Sequence, residues 1–164
     1  MSAKQSLVLV PGLLCSAALW APQMAALSDI ADITVADHTR HDTMAGIASS
    51  ILAAAPERFA LAGLSMGGYI AYEIVRQAPQ RVTRLALLDT GSRADPPERR
   101  ERRLQLDALG RREGAGRVQV ELMPMLIHKD RLADKAFTDA IVQMAIDVGV
   151  EALVRQHPAI MSRP

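Results

Sequence analysis

The sequence predicts an α/β fold, a mostly parallel sheet flanked by helices. Three observations predict it. Four short apolar runs recur within residues 1–90. Helix-like stretches of about ten residues separate them, the spacing of βαβ units. The first run, Ser6 to Val10 (SLVLV), is continuously apolar, the mark of a strand covered on both faces.

Pro11-Gly12 breaks the first run, so it reads as a buried strand ending in a loop, not as the core of a signal peptide. Ser16 to Leu27 reads as a helix with Ser16 as N-cap. Ile33 to Ala36 is a second strand. Asp42 or Thr43 caps a helix over Met44 to Ala55 that stops before Pro56. Phe59 to Leu64 is a third strand, Met66 to Gln77 a helix stopped near Pro79, and Val82 to Leu88 a fourth strand. After Asp89 the pattern changes. Gly91 to Pro97 is a loop rich in breakers. Helices are expected over Glu98–Leu109, Val118–Leu126, Asp134–Val148 and Glu151–Met161, the last interrupted by Pro158. Residues 1–90 are thus expected to form a sheet half-domain and 91–164 a helical cap.

Composition narrows the function. The 164 residues are 49% apolar and 23% charged with a net charge of +1, which describes a globular chain rather than a disordered one. No apolar run is long enough to span a membrane. The near-neutral charge argues against nucleic acid as main partner. Residues 93–117 hold eight arginines against five acids, but the charges interleave, with Glu98–Arg102 and Asp107–Arg111 spaced i,i+4, so a solvated helix face is expected. The single cysteine, Cys15, excludes an intrachain disulfide; it reads as a small buried filler in a cytoplasmic protein. No metal or cofactor site is expected. Methionines in the helical region, among them Met123, Met125, Met144 and Met161, suit either core filling or contact with an apolar substrate.

The chemistry lies in Gly63-Leu64-Ser65-Met66-Gly67-Gly68. At about 7% usage for each residue, G-x-S-x-G arises by chance in roughly 5% of chains this long, so context must carry the reading. The motif leaves an apolar strand and opens an amphipathic helix, as a nucleophile elbow requires. Its serine sits on a sharp, strained turn that projects Oγ above the sheet's carboxyl edge. Gly63 and Gly67 flank the turn where side chains would collide, and Gly68 permits closer helix packing. The helix start also lends a positive dipole end. The competing reading is a Gly-rich turn whose serine merely caps the helix. The loop Pro11-Gly12-Leu13-Leu14-Cys15-Ser16 agrees with the catalytic reading: placed directly after the first strand, it offers a backbone N–H for an oxyanion, a role indifferent to the Leu13 side chain.

With these motifs the chain resembles the α/β-hydrolase superfamily, most of all its small esterase or lipase-like members. The resemblance covers LVLVPGLLCSAALWAPQ and RFALAGLSMGGYIAYEIVRQAPQRVTRLALLDT closely and the helical region more loosely. It implies Ser65 as nucleophile, backbone N–H groups of Leu13 and Met66 as oxyanion hole, and the helices after Gly91 as a lid over a small ester-like substrate. Pro11-Gly12 stands where the family often has His-Gly, and Thr39-Arg40-His41-Asp42 where it often has Gly-His-Gly.

A serine nucleophile needs a base oriented by an acid, and in this fold both come after the serine in further strands. No such strands are visible here. Only His128 and His157 come after Ser65; the first reads as a solvated turn and the second as a cap residue, pocket-lining or exposed. His38 and His41 precede it on the correct sheet edge. Asp89 ends the fourth strand on that edge but reads as a partner of its own loop at Thr90-Gly91. The expectation is a serine hydrolase lacking its triad Asp and His, completed by a second chain or segment, with an open sheet edge and poor stability alone. The alternative is a non-catalytic module acting through its apolar surface.

Overall fold

A computed structural model describes residues 4–163. The sheet has four parallel strands, β1 (Gln5–Val10), β2 (Ala31–Val35), β3 (Phe59–Leu64) and β4 (Val82–Leu88), in the order β2-β1-β3-β4. The chain leaves the centre at β1 for β2 on one side, then returns to β3 and β4 on the other. The carboxyl ends of β1 and β3 therefore form a topological switch point, the place where open α/β sheets bind ligands.

The strand period divides the core. Val8, Val10, Phe59 and Leu61 point to one face, packing with Met44, Ile47 and Ile51 of α2 (Met44–Ala54) and Met66, Ile70 and Ile74 of α3 (Met66–Gln77). Leu9, Ala62 and, less deeply, Leu7 and Leu64 point to the other, against Trp20 and Met24. Thr43, not Asp42, caps α2, its Oγ1 accepting from Gly46 N–H at 3.1 Å.

Three elements differ from expectation. Ser16 does cap, but it caps a 3-10 turn over Ala17–Trp20, and α1 (Ala21–Leu27) comes only after that turn. Pro22 lacks an N–H, so the helix must begin afresh with proline in its first turn. β2 starts at Ala31, two residues early, because pairing with β1 runs from Gln5↔Ala31 to Leu9↔Val35. Pro158 does not interrupt α7 (Val150–Met161): its own position is exposed, while Gln156, His157, Ala159 and Ile160 around it are buried. Packing of that face holds the helix together.

Residues 97–161 are helical, with α4 (Pro97–Glu113), α5 (Ala115–Leu126) and α6 (Lys135–Val148) preceding α7. Gly114 at φ 88 and Gly149 at φ 83 make the sharp joints α4–α5 and α6–α7, a conformation that favours glycine. Leu106, Val118, Ala145 and Leu153 form a helical core of their own, and Leu14 from the β1 loop enters it. Neither expected i,i+4 arginine pair forms. Arg102 instead reaches Glu121 of α5 at 2.8 Å, and Asp107 pairs with His157 of α7. A second link runs through Asp95, whose side chain is 1% exposed between Arg103 at 2.6 Å and Arg163 at 2.8 Å. Arg163 also lies 3.5 Å over the Tyr69 ring of α3.

The sheet is covered unevenly. β1 and β3 are buried, but β4 is exposed along nearly its whole length, with Leu85, Leu87 and Leu88 at 43%, 37% and 39%. β4 thus presents apolar side chains and the expected open edge among the described residues. Such an edge pairs readily with other chains. In sedimentation velocity the chain is expected to self-associate as concentration rises, and Leu85→Lys/Leu87→Lys to reduce this. A parent monomeric throughout would contradict that expectation.

The tightest approach in the fold is α3 on β1. A methyl at Gly67 would fall 2.1 Å from the Val10 carbonyl oxygen, and one at Gly63 2.3 Å from the Gly67 oxygen. Both contacts are with backbone, which has little room to yield. Gly67→Ala should therefore cost about 3 kcal/mol or more in equilibrium denaturation; a loss below about 1 kcal/mol would show that the backbone gives way.

Candidate functional site

Ser65 is the turning point between β3 and α3. Its backbone sits at φ 52, ψ −113, a conformation that costs an L-residue about 1–3 kcal/mol. Three hydrogen bonds hold it there. Ser65 N–H donates to the Leu88 carbonyl and Gly68 N–H to the Ser65 carbonyl, both at 2.9 Å. Thr90 Oγ1 donates to the same Ser65 carbonyl at 2.8 Å. The Ser65 side chain makes no capping bond, so it does not serve the helix as an N-cap, and Oγ stays uncommitted. The glycines act as their spacing suggests. Gly63 and Gly67 meet backbone, and Gly68 meets Thr90, whose Oγ1 would lie 2.4 Å from an added methyl.

The Pro11–Cys15 loop lies beside this turn. A methyl on Gly12 would stand 3.5 Å from the Leu64 carbonyl and 3.7 Å from Ser65 Cβ. The loop is pinned from several sides. The Gly12 carbonyl accepts from Cys15 N–H at 3.1 Å and from His38 Nε2 at 2.9 Å. Leu14, at φ 55, donates its N–H to Gln156 Oε1 of α7 at 3.4 Å. Among the described residues, neither Leu13 N–H nor Met66 N–H donates to a protein acceptor. Cys15, expected as a buried filler, is half-buried and lines the smaller of two cavities beside this loop; burial raises its thiol pKa to about 11, and Sγ donates to the Leu13 carbonyl at 3.4 Å. A thiol so protonated is a poor nucleophile.

The structure brings no base to Ser65 Oγ among the described residues. His38, 2% exposed, is engaged with Gly12. His41 and His128 are exposed, and His128 Nδ1 accepts from Asp130 N–H at 3.4 Å. His157 is neither pocket-lining nor exposed: it is fully buried, with Nδ1 2.6 Å from Asp107 Oδ1, joining α7 to α4. Asp89 is exposed at φ 42 and does not bind its own loop; Thr90 is the residue that reaches the elbow. Two cavities of about 340 and 320 Å³ flank β2 and the Pro11–Cys15 loop, and Ser65 lines neither. His38 and Gln156 are the residues that sequence reasoning missed as supports of this loop. Their partners lie 26 and 142 positions away, and no local pattern marks them.

No family model and no curated protein matches the chain. Solved structures do. A thermophilic esterase from Thermogutta terrifontis is 26% identical with TM-score 0.85, covering 100% of this chain and 66% of its own. The enol-lactonase from Burkholderia xenovorans is 23% identical, and a hydrolase from Pseudomonas aeruginosa 19%, each with TM-score 0.85 over 99% of this chain and 66% of its own. The chain thus spans just under two thirds of the length of these structures. Its fold is that of the α/β-hydrolase superfamily, present here in part.

The His38 environment has a consequence for stability. Burial holds its pKa below the ordinary 6.5, opposed by the Gly12 hydrogen bond and the Asp37 charge. The unfolded chain therefore takes up a proton, as pH falls through about 6.5, that the folded chain resists. The stability present above that pH is lost below it. Thermal melts between about pH 7.5 and 5.5 should show Tm falling with pH, and His38→Gln should flatten the fall. An identical slope in the variant would remove His38 as its source.

Proposed function

We propose that the chain is the nucleophile-bearing part of a serine hydrolase acting on carboxylic ester-type substrates. The observation that carries this reading is Ser65: strained at φ 52, with an uncommitted Oγ, beside the unclaimed N–H groups of Leu13 and Met66. Strain of this kind persists where surrounding bonds over-determine it, and it concentrates at functional sites. In the proposed reaction Ser65 Oγ bonds the acyl carbon, its proton passes to a base, and the N–H groups of Leu13 and Met66 hold the tetrahedral oxyanion. The alcohol then leaves with a proton, and water releases the acid from the acyl-enzyme. The similar structures described as an esterase and an enol-lactonase support an acyl substrate.

The base and its orienting acid are assigned to a further segment or a second chain seated on β4. The exposed Leu85, Leu87 and Leu88 support that docking place. Residues 1–90 then form the core half, and 91–164 the cap that shapes the acyl or alcohol pocket. The same apolar strand is what favours the second reading, a non-catalytic module acting through that surface.

A fluorophosphonate probe separates the two. Serine oxygen bonds phosphorus, its proton passes to the base and fluoride leaves, so labelling reports an activated nucleophile without a substrate. With the segment or second chain that supplies the base in place, mass spectrometry is expected to find the adduct on Ser65 and to lose it in Ser65→Ala. Folded protein that stays unlabelled with that element in place would decide for the non-catalytic module.

A further inference from the structure

His38 is a buried imidazole with no part in the acyl chemistry of Ser65, and it faces the Gly12–Leu13 peptide, whose direction sets where the Leu13 N–H points. The Gly12 carbonyl and the Leu13 N–H belong to the same planar trans peptide, so they point to opposite sides. Whatever fixes the carbonyl also fixes the N–H. The preceding glycine makes this peptide easy to turn over, since Gly12 meets few steric barriers to the rotation. Turned over, it would aim a carbonyl oxygen at the place a developing oxyanion occupies.

We propose that His38 is a positioning residue: Nε2–H holds the Gly12 carbonyl away from Ser65 and so aims the Leu13 N–H at the oxyanion. The inference rests on the reading of Ser65 as nucleophile and Leu13 as oxyanion donor. The geometry supports it. His38 Nε2 lies 2.9 Å from the Gly12 oxygen, and the side chain is 2% exposed. A carbonyl only accepts, so Nε2 must carry the proton. Burial favours the neutral ring, which leaves Nδ1 without one. The bond crosses from the exit of β2 to the exit of β1, tying together the two loops that leave adjacent strands. Cys15 N–H, the other donor to this carbonyl, belongs to the same turn and would move with it.

The test uses the full chain, with the element that supplies the base in place, and two substitutions. His38→Leu keeps bulk and removes the donor; His38→Gln returns an amide N–H near the Nε2 position. Fluorophosphonate labelling of Ser65 should slow about tenfold or more in His38→Leu, through the bond-forming rate rather than probe affinity, and recover to within about threefold in His38→Gln. In nitrogen-15 spectra the Leu13 amide resonance should move in His38→Leu and return in His38→Gln, and the parent ring should be the Nε2–H tautomer. A folded His38→Leu that labels at the parent rate overturns the proposal, as does a folded His38→Gln that fails to recover. If the leucine variant does not fold, the glutamine variant and the parent's tautomer decide, and an Nδ1–H ring overturns it. A parent that does not label at Ser65 defeats the nucleophile reading instead. The role of His38 in setting the peptide then stands or falls on the Leu13 resonance, an unmoved signal in folded His38→Leu overturning it.

Discussion

The first turn of α3 rests directly on the last peptides of β1. Gly67 lies so close to the Val10 and Pro11 carbonyls that no Cβ fits between them. This contact brings the carboxyl ends of β1 and β3 together at the switch point. It also places the Pro11–Cys15 loop against the Ser65 turn. With any larger residue at Gly67, α3 must move outward and the loop and the serine separate. The glycines of the motif thus act through distance: they set how close two backbones come, and the serine's setting is a result of that closeness.

The helical region is built into the same place. Leu14, held at positive φ, leaves the β1 loop for the core between α4, α5, α6 and α7, while Leu13 packs against both that core and the α2–α3 face. Gln156 of α7 accepts the Leu14 N–H. At the far end Arg163 ties Asp95 to the Tyr69 face of α3. The helical region and the sheet therefore share one short loop, and displacement of α7 would be felt first at the peptide next to Leu13. Close packing transmits such displacements because interiors have little free volume.

The strands, α2, α3 and the elbow are legible in the sequence because their signals are local. Apolar runs of strand length, breakers between them and a glycine two residues either side of Ser65 depend on neighbours in sequence. Thr43 capping α2 is of the same kind. The features that are not legible are fixed by partners far along the chain. Asp107 has an arginine one turn away, yet it pairs with a histidine 50 residues on because the α4–α7 interface buries His157 and leaves Asp107 half-buried against it. Arg102 reaches Glu121 across the α4–α5 contact, an exposed pair 19 residues apart. Pro158 reads as a break in the sequence, but burial of its neighbours outweighs the one hydrogen bond it removes. His38 reads as a weak base candidate; only the fold reveals the carbonyl it faces.

The exposed strand bears on the serine more closely than its position at the sheet edge suggests. Ser65 N–H is bonded to the last residue of β4, and Thr90, just past it, holds the Ser65 carbonyl and packs on Gly68. Two of the three bonds that maintain the strained turn therefore come from the least covered part of the sheet. Segments with exposed backbone bonds and few buried contacts open at the lowest free energies in a protein. A strained residue keeps its conformation only while its surroundings hold it. Covering β4 would thus do two things at once: bury Leu85, Leu87 and Leu88, and stiffen the frame that holds Ser65. An element docked there need not touch the serine to raise the fraction of molecules in which the turn is formed.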